Sequence, residues 1–102
     1  MSMKKRYIKK GSVCRVTFRV PKKASMGASS INLVGDFNNW SVKEHPMKKL
    51  KSGDFTVSVD LAAGNEYQFR YIMNGKTWEN DWEADKYVPS EYGNCENSVV
   101  IV

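Results

Sequence analysis

The sequence predicts an all-β chain folded as an antiparallel sandwich, and three observations carry that expectation. Apolar residues recur at every second position through 13–20, 55–61 and 67–73, the period of strands with one buried face. Turn residues punctuate these runs at short intervals, at Ser52-Gly53, Ala63-Gly64-Asn65 and Asn74-Gly75. No helical period of useful length occurs anywhere. Six or more short strands at this spacing point to the immunoglobulin-like type of sandwich.

In chain order, Cys14, Val16, Phe18 and Val20 share one face of the first clear strand, Arg15, Thr17 and Arg19 share the other, and Pro21 ends it. Residues 22–30 form a loop of small residues. Ile31 to Val34 makes a second strand that runs into Gly35-Asp36-Phe37-Asn38-Asn39-Trp40, where Gly and Asp mark the strand end. After His45-Pro46-Met47, the stretch Lys48-Lys49-Leu50-Lys51 reads as a short edge strand with its lysines in water. Phe55, Val57, Val59 and Leu61 then alternate with Thr56, Ser58 and Asp60 in the clearest strand of the chain. Tyr67, Phe69, Tyr71 and Met73 alternate with Gln68, Arg70 and Ile72, and Asn74-Gly75 signals a hairpin. The last strand is expected at Ser98 to Val102.

The register of that hairpin decides where Trp78 points. A two-residue loop sets Tyr71 opposite Trp78 and sends the indole to the core. A three-residue loop, Met73-Asn74-Gly75, sets Arg70 opposite Trp78 and leaves both in water beside Gln68. The residues alone leave the two registers open.

The length of 102 residues, with 41% hydrophobic and 26% charged side chains, fits one soluble domain able to bury a core. The longest apolar run, Val99-Val100-Ile101-Val102, is too short to span a membrane. The N-terminal positive charges are not followed by the apolar segment of a signal peptide, so a cytoplasmic setting is expected, with Cys14 and Cys95 reduced. Two cysteines without Cys-x-x-Cys spacing or a His partner make no zinc site, and no cofactor is expected. The net charge of +5 is unevenly placed, because Lys4, Lys5, Arg6, Lys9 and Lys10 fall in the first ten residues. Taking these five from the 16 basic residues leaves 11, equal to the 11 acidic ones. Residues 1–12 are therefore expected as a basic, flexible tail ahead of a neutral domain at 13–102. Such a tail touches RNA or an anionic surface only non-specifically, so no specific nucleic acid and no membrane partner is expected.

The stretch 35–40 is the first candidate for function. Asn offers donors and acceptors, and Trp offers a flat apolar face with one N–H. Together they suit a pyranose, with hydroxyls around its edge and C–H bonds on its face. The same residues also suit an Asx-type turn beside a core Trp, and this stretch does not choose between the two.

More of the chain bears on that choice. Gly35-Asp36-Phe37-Asn38-Asn39-Trp40, Pro46-Met47, Tyr67-Gln68-Phe69-Arg70-Tyr71 with Asn74-Gly75, Trp78-x-Asn80-Asp81, Ala84-Asp85-x-Tyr87-Val88-Pro89, Gly93 and Glu96-Asn97-Ser98-Val99-Val100 occur in this order. The series resembles carbohydrate-binding module family 48, the group of the isoamylase N-terminal ("early-set") domain and the glycogen-binding domain of the AMP-activated protein kinase β subunit. The resemblance spans 13–102. It implies an early-set immunoglobulin-like sandwich and non-catalytic binding of α-1,4-glucan, whether glycogen, starch or maltooligosaccharide. The alternative it leaves is a module that docks on a glucan-active enzyme without binding sugar itself. Trp40 and Trp78 match the family's stacking residues, Arg70 a basic residue that bonds sugar hydroxyls, and Asn97 a hydrogen-bonding Asn. Asn39, beside Trp40, joins them. Tyr92 stands where the kinase domain carries a Leu that reaches into the glucan, and an aromatic there adds a stacking face or covers the core. Trp82 inherits no role.

Glu79, Asp81, Glu83 and Asp85 are the only dense acids. On an extended chain all four project to one side, which is wrong for flanking a glycosidic bond, so catalysis is not expected. They suit either a calcium ion or, more plainly, a solvated loop. His45 has no Ser or Cys partner in a nucleophilic motif, and no glycine-rich phosphate loop is present.

Overall fold

The computed structural model describes residues 1–91 and 95–102. The strands are β1 (Ser2–Ile8), β2 (Val13–Val20), β3 (Ile31–Gly35), β4 (His45–Pro46), β5 (Lys48–Lys49), β6 (Phe55–Ala62), β7 (Glu66–Met73), β8 (Thr77–Glu79), β9 (Lys86–Pro89) and β10 (Glu96–Ile101). They form two antiparallel sheets, one ordered β1-β2-β6-β5 and the other β4-β3-β7-β10-β9, with β8 added beside β7. This is the expected immunoglobulin-like β-sandwich.

The period-two strands supply the core. Cys14, Val16, Phe18 and Val20 of β2 are fully buried, and so are Phe69 and Tyr71 of β7 and Leu33 of β3. The Phe18 and Phe69 rings meet edge-on at 5.1 Å across the two sheets. Each such side chain contributes about 1.5–3 kcal/mol through the water it sheds. Tyr71 also carries a hydroxyl into the core, which it donates to Asp81 Oδ2 at 2.7 Å. Burial, then the Asp81 charge, pushes this phenol well above its ordinary range, so it stays a donor.

Three expectations need correction. Residues 2–8 are not a flexible tail: β1 pairs with β2 along its whole length, from Ser2 opposite Arg19 to Ile8 opposite Val13. Counting charges hid an alternation in which Met3, Lys5 and Tyr7 share a face with Phe18, Val16 and Cys14. Met1 is buried, Met3 packs on the core, and Lys5 reaches across to Asp85 at 2.7 Å. An edge strand tolerates such lysines well.

The β7–β8 hairpin follows neither register considered. Ile72 lies opposite Trp78, and Met73 opposite Thr77. Asn74 and Gly75 both take left-handed backbone angles (φ 53° and 67°), Lys76 N–H returns to Met73 O, and Lys76 is the extra residue. Asn74 is pinned from outside, since its side-chain oxygen accepts from Ser29 N–H and Ser29 Oγ, both at 2.9 Å. Parity is that of a three-residue loop, so Trp78 faces water, 42% exposed.

The acidic stretch is not extended. Its chain turns, and Asp81 goes inward at 1% exposure, accepting from Tyr71 and from Glu83 N–H. Asp85 accepts from Ile101 N–H and pairs with Lys5. The four acids therefore do not share one side. Cys14 is a buried thiol and Cys95 an exposed one, and the two are not joined in a disulfide.

Candidate functional site

On the outer face of the β4-β3-β7-β10-β9 sheet lies a depression of about 760 Å3. Asp36, Asn39, Trp40 and Val42 line it from the loop after β3, Gln68 and Arg70 from β7, and Trp78 from β8. Pro89, Ser90 and Glu91 close one side, and Asn97 of β10 lies in it.

The loop after β3 is shaped by contacts that only its own residue types permit. A Cβ on Gly35 would sit 2.6 Å from Gln68 O and 2.9 Å from Phe69 Cβ, so a glycine is needed for β3 to end this close to β7. Asn38 is buried: its Oδ1 accepts from Gly35 N–H at 3.1 Å, while its Nδ2 donates to Leu33 O at 3.0 Å and to His45 Nδ1 at 2.8 Å. That places the His45 proton on Nε2. Asn38 thus takes the structural role of an Asx-type turn residue, while Asn39 and Trp40 turn to the depression. Both adopt left-handed backbone angles (φ 56° and 57°), a conformation that costs a residue with a Cβ about 1–2 kcal/mol. Hydrogen bonds hold it, from Trp40 N–H to Gly35 O and from Ser41 N–H to Asn38 O.

Asp36 fixes the indole. Trp40 Nε1 donates to Asp36 Oδ1 at 2.9 Å, and Gln68 N–H donates to Asp36 Oδ2 at 2.7 Å. One carboxylate therefore ties the loop to β7 and occupies the indole N–H, leaving the ring face as what Trp40 offers.

The floor is a polar chain. Arg70 Nε donates to Asn97 Oδ1 at 2.6 Å, and Asn97 Nδ2 donates to Gln68 Oε1 at 3.0 Å. Arg70 also donates to Cys95 Sγ at 2.9 Å. Hydrogen bonding from Arg70, then from Ser90, holds the Cys95 thiol below its ordinary pKa. Asn80 braces this region, with Nδ2 on Glu96 O and Oδ1 accepting from both Ser98 N–H and Ser98 Oγ. Asn97 is therefore held between two fixed backbone neighbours.

Of the residues expected from sequence, Trp40, Arg70, Trp78, Asn97 and Asn39 line this single depression. Tyr92 lies outside the described residues. Trp82 is 57% exposed and is not part of the lining. Sequence reasoning set Gln68 beside Arg70 on the solvent face but counted neither it nor Asp36 among the site residues, although Asp36 sits in the stretch that drew attention first.

The family model for carbohydrate-binding module 48 (isoamylase N-terminal domain) matches residues 13–88. The 5'-AMP-activated protein kinase subunits beta-2 of Homo sapiens and Mus musculus are each 32% identical over 75 residues, 74% of this chain and 26% of their own length. The 1,4-alpha-glucan branching enzyme GlgB of Photobacterium profundum is 37% identical over 43 residues, 41% of this chain and 6% of that enzyme. The chain spans about a quarter of the length of the kinase subunits it matches. It belongs to the carbohydrate-binding module 48 family, whose modules are in themselves non-catalytic.

Proposed function

We propose that the chain binds α-1,4-glucan, as glycogen, starch or maltooligosaccharide, in the depression that holds Trp40 and Trp78. The observation that carries this reading is the convergence of two indoles, 38 positions apart in sequence, on one surface floored by Arg70, Asn97 and Gln68. The indoles cover the C–H faces of glucose rings, and the polar floor satisfies hydroxyls that would otherwise lose water. Asn39 adds a donor and an acceptor at the rim. The cytoplasm is the setting we propose, where Cys14 and Cys95 remain thiols. A surface site on so small a domain gives affinities of roughly micromolar to millimolar, about −4 to −8 kcal/mol.

Titration with maltoheptaose, followed by tryptophan fluorescence, tests this reading. Saturable quenching is expected, and Trp40→Ala and Trp78→Ala should each remove most of it, since aromatic anchors dominate small interfaces. An unchanged titration in both folded variants would place any sugar elsewhere. The likeness to a branching enzyme supports a second element, a glucan-active enzyme as protein partner, which the module would bring to its polymer.

A further inference from the structure

We infer that the outer face of the β1-β2-β6-β5 sheet is a docking surface for a partner protein that presents clustered carboxylates. The inference goes beyond sugar binding and is independent of it, because this face lies on the opposite sheet.

The register assembles the face. β2 points Val16 and Phe18 inward, so Arg15, Thr17 and Arg19 point out. Their β1 partners, Arg6, Lys4 and Ser2, point out with them, as does Lys48 of β5 beside Thr56. Asp60 is the one acid at an outward position of these strands, and it accepts two bonds from Arg15 at 2.8 and 3.1 Å. Arg19 is paired with Asp54, at the start of β6. Among the described residues, Lys4, Arg6 and Lys48 sit in no ion pair. What composition presented as a loose basic tail is thus charge fixed to a flat surface.

Two features of this surface work against the isolated domain. Arg6 stands directly opposite Arg15, and like charges paired across strands are destabilising. The β1–β2 turn places Lys9 and Lys10 at φ 49° and 58°, where glycine or asparagine would be less strained. Strain of that kind concentrates at functional positions. The Lys9 ammonium acts on Asp60 too, adding to the Arg15 guanidinium that holds the carboxyl below its ordinary range. A facing layer of carboxylates would relieve the crowding of Arg6, Arg15 and Lys9.

The chemistry selects a protein over other polyanions. The outward positions of β1, β2 and β6 carry no aromatic ring for a nucleic-acid base to stack on, and the exposed Tyr7 belongs to the other face of β1. Asp60, fixed in the middle of the cations, repels a continuous row of phosphates or a sheet of anionic headgroups. A protein surface of mixed charge can set a cation against it.

The test uses the full chain at low salt with a labelled octaglutamate peptide as probe. Its affinity is compared between the unsubstituted chain, a face variant (Lys4→Glu, Arg6→Glu, Lys9→Glu) and a control of equal net charge (Lys43→Glu, Lys51→Glu, Lys76→Glu). The face variant should bind at least about tenfold more weakly and the control within about twofold, a gap that net charge alone does not produce. Glutamine at the three face positions should reproduce the loss should the charge-reversed chain not fold. Equal losses in face and control variants would overturn the inference. So would no binding of the peptide, or tighter binding of a single-stranded oligonucleotide or of phosphatidylserine vesicles than of the peptide.

Discussion

On one outer face, Arg15 meets Asp60 and Thr17 meets Ser58 across a regular ladder of period-two strands. On the other, a glycine with no room for a methyl group, two left-handed residues and a bulged hairpin bring Trp40 and Trp78 to one depression. Across β2 and β6 the first face follows the rules of sheet formation, while the second departs from them at a few positions. The departures are held by hydrogen bonds that the regular part of the fold supplies, such as Gln68 N–H on Asp36 and the β10 backbone on Asn80. The difference teaches that regular pairing makes the platform while local exceptions shape the depression.

The sharpest way to separate platform from site is to damage the platform alone. Phe18 is fully buried and packs edge-on against Phe69 from the opposite sheet. Phe18→Ala is expected to cost about 3–5 kcal/mol, from lost burial and the cavity left behind. Urea unfolding should show the loss, while whatever fraction stays folded keeps its affinity for maltoheptaose. A drop in affinity matching the drop in stability would mean that site and core are not separable.

The converse change damages the site and spares the platform. Asp36→Ala removes the acceptors of Trp40 Nε1 and Gln68 N–H. Each exposed bond is worth about 1 kcal/mol of stability, so the fold survives. Affinity for maltoheptaose should fall by about tenfold, or 1.4 kcal/mol, because the indole is no longer held with its face outward. Asp36→Asn retains one carbonyl acceptor and should recover part of the loss. Full affinity in Asp36→Ala would show that Trp40 needs no such positioning.

The same contrast explains what the sequence made legible. β2, β6 and most of β7 were readable because their alternation is uninterrupted and one face is wholly apolar. β1 was not, because lysine occupies outward and inward positions alike, and only pairing with β2 reveals which is which. The site residues were readable as types, through Trp, Arg and Asn in a recurring order, and five of them line one depression. Their geometry was not readable. That Trp78 faces Ile72 follows from the clasp of Ser29 on Asn74, a contact across 45 positions of sequence. That Asp81 is a core acceptor and not a surface acid follows from Tyr71, which no period in the sequence links to it.

The smallest expected effect lies on the regular face and concerns pH. Asp54 is held below the ordinary carboxylate value by the Lys22 backbone N–H and then by Arg19, and Asp60 by Arg15. In both, the folded chain releases the proton more readily than the unfolded chain does. Their contribution to stability is therefore complete above the ordinary value of about 3.9, and it is lost as pH falls from there through the lower folded values, where the unfolded chain binds more protons. Both carboxylates are solvent-screened, so the contribution is small and shrinks as salt is added. Urea midpoints measured between about pH 5 and pH 2 should fall less steeply in Asp54→Asn than in the unsubstituted chain. Asp60→Asn should flatten the curve less, since Asp54 accepts from a backbone N–H as well as from Arg19, whereas Asp60 accepts from the Arg15 side chain. A larger flattening in Asp60→Asn would mean that side-chain pairs, and not backbone donors, govern the acid response of this face.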